Sequence, residues 1–222
     1  MGYIGYRSTP LIVALGDSIT QFGADPAIQG FQALLSQDYV RKADVLNRGL
    51  SGWTTRWWVQ YLPQLIRECG DNAPVLVIIA LGANDASLAS GESHIRHVPL
   101  DEYQSNLRVI VNGLRAAFPL CQYLFLTPPA VDNSKWNPAD KLNAVTQAYA
   151  KACVQVAVAL NIPVIDTWQA TQGRWELFRD GVHPNTQGNV LFHQLIQSSI
   201  AASYPHLTPQ TLPLNYPDTP PS

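Results

Sequence analysis

The sequence predicts an α/β fold in which a parallel sheet is covered on both faces by helices. Three observations carry this. Five short strand-like runs recur along the 222 residues, each closed by glycine, proline or aspartate. Segments with apolar residues at helical spacing alternate with these runs, the pattern of strands joined by helical crossovers. The strongest run, Pro74 to Leu81, is apolar throughout, as a central strand buried on both faces must be.

The first run, Leu11-Ile12-Val13-Ala14-Leu15, enters Gly16-Asp17-Ser18-Ile19-Thr20 directly. Gly16 allows a sharp turn, which leaves Ser18 just past a strand end. A short loop is expected next, then a helix on Phe31, Leu34, Leu35 and Tyr39. Ala43 to Asn47 reads as a shorter strand ended by Gly49. The following segment carries Trp53, Trp57 and Trp58, and its apolar positions continue through Leu62, Leu65 and Cys69, with Pro63 expected to kink or restart the helix. The third strand stops at Gly82-Ala83-Asn84-Asp85. A loop holding His94 and His97 precedes a helix on Tyr103, Leu107, Ile110, Val111 and Leu114.

Tyr123 to Thr127 is a fourth strand, halted by Pro128-Pro129. Asn137-Pro138 reads as the N-cap and first residue of a helix through Leu142, Val145, Tyr149, Ala152, Val156 and Leu160. Ile162 to Asp166 is the fifth strand. The last helix, on Leu191, Phe192, Leu195, Ile196 and Ile200, follows Asp180-Gly181-Val182-His183. Residues 1–203 read as one domain and 204–222 as a proline-rich tail. Six prolines in those nineteen residues argue against regular structure, while Leu207, Leu212, Leu214 and Tyr216 predict an extended segment pinned to the surface.

Composition narrows the function classes. Charged residues make up only 14% and the net charge is −2, with no run of Lys or Arg, which argues against nucleic acid or an anionic membrane as partner. No apolar stretch approaches a membrane span, and residues 1–7 lack the apolar segment of a signal peptide, so the expected location is cytoplasmic. Cys69, Cys121 and Cys153 have no metal-ligand spacing and read as small buried hydrophobes. His94 and His97 sit three apart without a third ligand cluster, so no metal site and no cofactor is expected. Self-association is left open.

In a parallel sheet Ser18, Gly49 and the Asn84-Asp85 pair all fall at one edge, where open α/β sheets bind ligands. A serine there becomes a nucleophile only with a base and an oxyanion site. Asp180-x-x-His183 can supply the base: the carboxylate accepts from Nδ1 and leaves Nε2 to take the serine proton. Gly49, lacking Cβ, lets its N–H approach a ligand closely, and Asn84 is a neutral side-chain donor. Asp85, which cannot donate when ionised, is expected to position its loop, and Asp17 to cap the turn at Ser18.

These residues, Gly16-Asp17-Ser18-Ile19, Gly49, Gly82-x-Asn84-Asp85 and Asp180-x-x-His183, resemble the four blocks of the SGNH (GDSL-type) hydrolases, over residues 11 to about 200. Arg41 to Gly49, Gly82 to Ala86 and His97-Val98-Pro99-Leu100 resemble the isoamyl acetate-hydrolysing esterase branch. The resemblance implies a three-layer, flavodoxin-like fold with strand order 2-1-3-4-5. It implies Ser18 as nucleophile, and an oxyanion hole of Ser18 N–H, Gly49 N–H and the Asn84 side chain. It implies a small carboxylic ester, acetyl-type for preference, as substrate. Carbohydrate acetyl esters, thioesters and lysophospholipids are the alternatives within the family.

A Gly-x-Ser-x-Gly elbow is absent, since the window Gly16 to Thr20 ends in threonine. A non-catalytic flavodoxin-like module binding phosphate or FMN at the same edge is the rival of a different class. It leaves Asp180 and His183 unexplained, and the first loop lacks the glycines of a phosphate cradle.

Overall fold

The structure is a computed structural model that describes residues 9–215. The readings of residues 1–7 and of Tyr216 lie outside the described residues. Five parallel strands form one sheet: β1 (Leu11–Gly16), β2 (Asp44–Gly49), β3 (Pro74–Ala80), β4 (Gln122–Leu126) and β5 (Val164–Ile165). Their order is β2-β1-β3-β4-β5, as expected. Around the sheet lie α1 (Ser18–Phe22), α2 (Phe31–Asp38), α3 (Thr55–Cys69), α4 (Leu100–Ala117), α5 (Asn143–Ala159), α6 (Thr167–Thr171) and α7 (Thr186–Ser203).

The inner strands β1 and β3 are apolar on both faces because two cores sandwich the sheet, whereas the edge strand β2 carries Asn47 and Arg48 and is only partly buried. Leu11, Val13 and Leu15 of β1 pack with Val77 and Ile79 of β3 under α3, α4 and α5, where Leu62, Leu107, Ile110 and Val156 close the layer. The alternate residues Ile12, Leu76, Ile78 and Leu124 face Phe31 and Leu35 of α2 and Phe192, Ile196 and Ile200 of α7. Successive side chains of a strand point to opposite faces, so a strand covered on both sides has no polar position to spare. All three cysteines are buried and unpaired in these layers.

Four local expectations are corrected. The stretch after Asp17 is a helical turn rather than a loop, because the Asp17 carboxylate accepts from Ile19 N–H (2.9 Å) and caps α1. Pro63 lies inside α3 without dividing it. It sits on the exposed side, where water can satisfy the carbonyl that loses its partner. α5 starts at Asn143, not Pro138. Asn137 instead closes a turn, its side chain accepting from Ala139 N–H and its carbonyl from Asp140 and Lys141 N–H. The C-terminal segment makes one 3₁₀ turn, Pro205–Leu207. Leu207 is buried, Tyr39 donates to its carbonyl (2.7 Å), and Lys42 Nζ to that of Pro209.

The order β2-β1-β3 reverses direction at β1, so the carboxyl ends of β1 and β3 open a crevice. Ser18 follows β1 and Asn84 follows β3. Among the described residues no helix is long and apolar enough to cross a membrane.

Candidate active site

Ser18 is the first residue of α1, so its N–H is one of the helix donors with no intrahelical acceptor. Its Oγ lies 2.8 Å from His183 Nε2. His183 Nδ1 lies 2.7 Å from Asp180 Oδ2, while Asp180 Oδ1 accepts from the N–H groups of His183 (2.8 Å) and Val182 (3.0 Å). Partial burial pushes the Asp180 carboxyl up, but the bonds from the His183 ring and the two backbone N–H groups outweigh it and hold the group well below the usual carboxylate range. A charged Asp180 fixes the Nδ1–H tautomer of His183 and leaves Nε2 as acceptor for the serine proton. Phe22 and Trp136 meet the imidazole edge-on, with ring centroids at 5.4 and 6.1 Å. Asp166, at the end of β5, caps α6 through Gln169 N–H.

Asn84 is 6% exposed, and its Nδ2 donates to the Trp53 carbonyl (3.0 Å). That bond orients the amide and uses one of its two hydrogens. Asp85 is wholly buried and accepts from Thr55 N–H (3.0 Å) and from the Thr55 hydroxyl, tying the loop after β3 to the start of α3. Burial pushes its carboxyl up to about 7, against those bonds. Burial likewise pushes Asp17 up to about 6, against the Ile19 N–H bond and the nearby His183 and Lys141. Asp17 thus caps α1, and Asp85 ties the loop after β3 to Thr55.

Gly49 is where sequence and structure part. Its N–H donates to Asn47 Oδ1 (2.8 Å) and so is not offered to an oxyanion. It must be glycine for another reason: a Cβ there would lie 2.1 Å from Gln21 N, in the backbone of α1. Within the loop after β2, the Gly52 N–H has no acceptor among the described residues, and Gly52 is a buried glycine at φ +82°. Ser51 N–H is tied to Gln21 of α1 (2.8 Å) and the Trp53 carbonyl to Asn84, so Gly52 sits between the element bearing Ser18 and the Asn84 side chain. The Ser51-Gly52 dipeptide is the turn signal that could have pointed to it.

The Trp53 ring packs against Trp57 and Trp58, with centroids at 6.4 and 5.2 Å, but their surroundings differ. Trp58 is core and donates to the Gly16 carbonyl (3.0 Å). The half-buried Trp53 borders a groove of about 260 Å³ with Leu50 and Tyr61. His94 and His97 bond the carbonyls of Gly91 and Ser87 through Nδ1. Among the described residues no group of three or more His, Cys, Asp or Glu could hold a metal ion.

The sequence matches the GDSL-like lipase/acylhydrolase family over residues 14–191. It is 41% identical to the isoamyl acetate-hydrolyzing esterase 1 homolog of Mus musculus over 194 residues, covering 81% of this chain and 77% of that one. It is 38% identical to the protein of the same name in Homo sapiens over 193 residues, with the same coverage. Among solved structures, a lipase/acylhydrolase from Enterococcus faecalis superposes with a TM-score of 0.69 at 26% identity, covering 87% of this chain and 96% of that one. An acetylxylan esterase from Geobacillus stearothermophilus shares the fold, with a TM-score of 0.67 at 22% identity over 88% of this chain and 96% of that one. With a family match across most of its length and esterase relatives at this identity, the chain belongs to the GDSL-like lipase/acylhydrolase family of carboxylic ester hydrolases.

Proposed function

We propose that the protein is a serine esterase that cleaves short-chain, acetyl-type carboxylic esters through an acyl-enzyme. The observation that carries this is the unbroken line from Ser18 Oγ to His183 (2.8 Å) and on to Asp180 (2.7 Å) at the catalytic edge of the sheet. Ser18 Oγ attacks the ester carbonyl while His183 Nε2 takes its proton. Asp180 stabilises the resulting imidazolium. The tetrahedral oxyanion collapses, the C–O bond to the alcohol breaks, and the alcohol leaves with the His183 proton. Water then attacks the acyl-serine, giving a proton to His183, and Ser18 recovers one as the acid departs.

The oxyanion is held by Ser18 N–H, the second hydrogen of Asn84 Nδ2 and the Gly52 N–H, all donors with no competing acceptor in place. The acetyl preference draws on the names of the mammalian relatives, isoamyl acetate-hydrolyzing esterase 1 homologs, and of the acetylxylan esterase neighbour. It draws also on Phe22 and Trp136, which crowd the imidazole. A cytoplasmic location belongs to the same proposal, and the unpaired thiols of Cys69, Cys121 and Cys153 suit a reducing compartment.

The test is hydrolysis of p-nitrophenyl esters of rising acyl length, wild type beside Ser18→Ala, with fluorophosphonate labelling of both. Acetate and butyrate esters are expected to outpace decanoate, and a single adduct is expected at Ser18. Labelling or full activity that survives in Ser18→Ala would overturn the mechanism, and rates that climb with chain length would overturn the substrate class.

A further inference from the structure

Lys141 is 2% exposed, yet lysine is almost never fully buried without a partner carboxylate. Its Nζ donates instead to two neutral oxygens, the Ala83 carbonyl (2.6 Å) and Ser87 Oγ (2.6 Å). Those two acceptors bracket the turn Asn84-Asp85-Ala86. The Ala83 carbonyl belongs to the same peptide unit as the Asn84 N–H, so the ammonium pins the backbone from which the Asn84 amide projects.

Lys141 is itself delivered by a rigid strap. Its N–H closes the Asn137 turn, and the neighbouring Asp140 anchors the facing loop, its carbonyl accepting from Leu88 N–H (2.8 Å) and its Oδ1 from Ser93 N–H (2.8 Å). The charged groups that face the ammonium are Asp140 on its own turn, Asp17 before α1, Asp85 after β3 and Arg96 in the 3₁₀ turn His94–Arg96. A charge kept in such a place at a desolvation cost calls for a reason beyond stability, because an apolar side chain of like volume often packs as well.

We infer that Lys141 is a positioning residue for ester hydrolysis: its buried ammonium holds the Ala83–Asn84 peptide so that the Asn84 amide meets the oxyanion, and places positive charge behind that donor. The inference rests on the proposed roles of Ser18 and Asn84. Because the oxyanion exists only after attack, a donor held out of line weakens the transition state more than the bound ester. The ammonium gives the turn two bonds to a charged donor, each stronger than a neutral bond.

The experiment is a double-mutant cycle on p-nitrophenyl acetate hydrolysis with wild type, Lys141→Met, Asn84→Ala and the double variant. Lys141→Met is expected to lower kcat about 10- to 100-fold with KM little changed, as for loss of a contact that matters in the transition state. In the Asn84→Ala background the same substitution is expected to cost less than about threefold, since residues acting through one another are not additive. Burial lowers the Lys141 ammonium to about 8, so the rate ratio of wild type to Lys141→Met is expected to shrink as pH rises from about 7 to about 9.5, a change a purely structural lysine would not give.

Wild-type kcat in Lys141→Met, or its full loss repeated on top of Asn84→Ala, would overturn the inference. If Lys141→Met does not fold, Ser87→Ala replaces it by removing one of the two acceptors. A few-fold kcat loss that vanishes in the Asn84→Ala background supports the inference, and an unchanged kcat overturns it. A wild-type rate in Ser18→Ala or Asn84→Ala with Lys141 intact is a different result: it overturns the active-site reading, and this inference with it.

Discussion

At the scale of single residues, the Asp180 carboxylate is set by its hydrogen bonds more than by its exposure. Three donors converge on it, so it stays ionised wherever the protein is folded near neutral pH. An asparagine there could offer an N–H to His183 Nδ1 and favour the tautomer that cannot accept the serine proton. Asp180→Asn is therefore expected to fold normally and lose kcat on the order of 10⁴-fold, the loss the same change brings in a serine protease. A near-wild-type rate in that variant would move the acid role elsewhere. Asn84→Ala is expected to lose about 10²–10³-fold in kcat with KM little changed, as for removal of one side-chain oxyanion donor. If Asn84 only ties its turn to Trp53, melting temperature falls and kcat holds. That Ser18, Asp180 and His183 come together was legible because Gly-Asp-Ser after a strand and Asp-x-x-His are short local motifs. Gly52 and Lys141 were not. The use of a backbone N–H depends on what else accepts it, which is decided by Asn47 at Gly49. A lone lysine after an aspartate reads as a solvated charge until the strap that buries it is seen.

At the scale of elements, the inner strands β1 and β3 were the easiest to read, because burial on both faces leaves an unbroken apolar run. Short or doubly determined segments were harder. The five residues of α1 are too few to show a helical period, and its one signal is the Asp17 cap. Asn137-Pro138 serves turns as well as helix starts, and here the Asn137 side chain chose the turn. The C-terminal segment combines both difficulties: prolines obscure its 3₁₀ turn, while its leucines announce the anchoring. Leu207 is 5% exposed among the side chains that cover the α2 and α7 face. Tyr204 reaches back to the Tyr123 carbonyl (2.7 Å), and Asn215 N–H bonds the Arg41 carbonyl (2.8 Å). Leu207→Ala is expected to destabilise the fold by about 2–4 kcal/mol, the cost of emptying a buried leucine site, with kcat unchanged below the unfolding transition. Urea unfolding read beside esterase activity checks both halves, and an unchanged urea midpoint would mean that the segment is not held by its leucine.

At the scale of the whole molecule, the two cores are apolar while the catalytic edge carries buried charge, so stability and chemistry are divided between regions. Asp17 and Asp85 are 1% and 0% exposed and lie under that edge, held by neutral donors. Burial raises their carboxyls to about 6 and about 7, whereas an unfolded aspartate titrates near ~3.9. The native state therefore binds more protons than the unfolded chain between ~3.9 and those raised values, and stability falls as pH rises through that window. Asp180 has the opposite sign: its depressed carboxyl adds stability above ~3.9 that is lost only as pH falls below that, outside the window. The melting temperature of the wild type is thus expected to decline from about pH 4.5 to about pH 7.5, where the buried carboxyls give up protons they hold in the native state. Asp85→Asn keeps an oxygen to accept from Thr55 N–H but has no proton to lose, so its decline is expected to be shallower over the same range. Calorimetry on the two proteins at matched ionic strength decides it. Parallel curves would mean that Asp85 titrates alike in the folded and unfolded chain, and that the charge under the catalytic edge carries no stability cost at neutral pH.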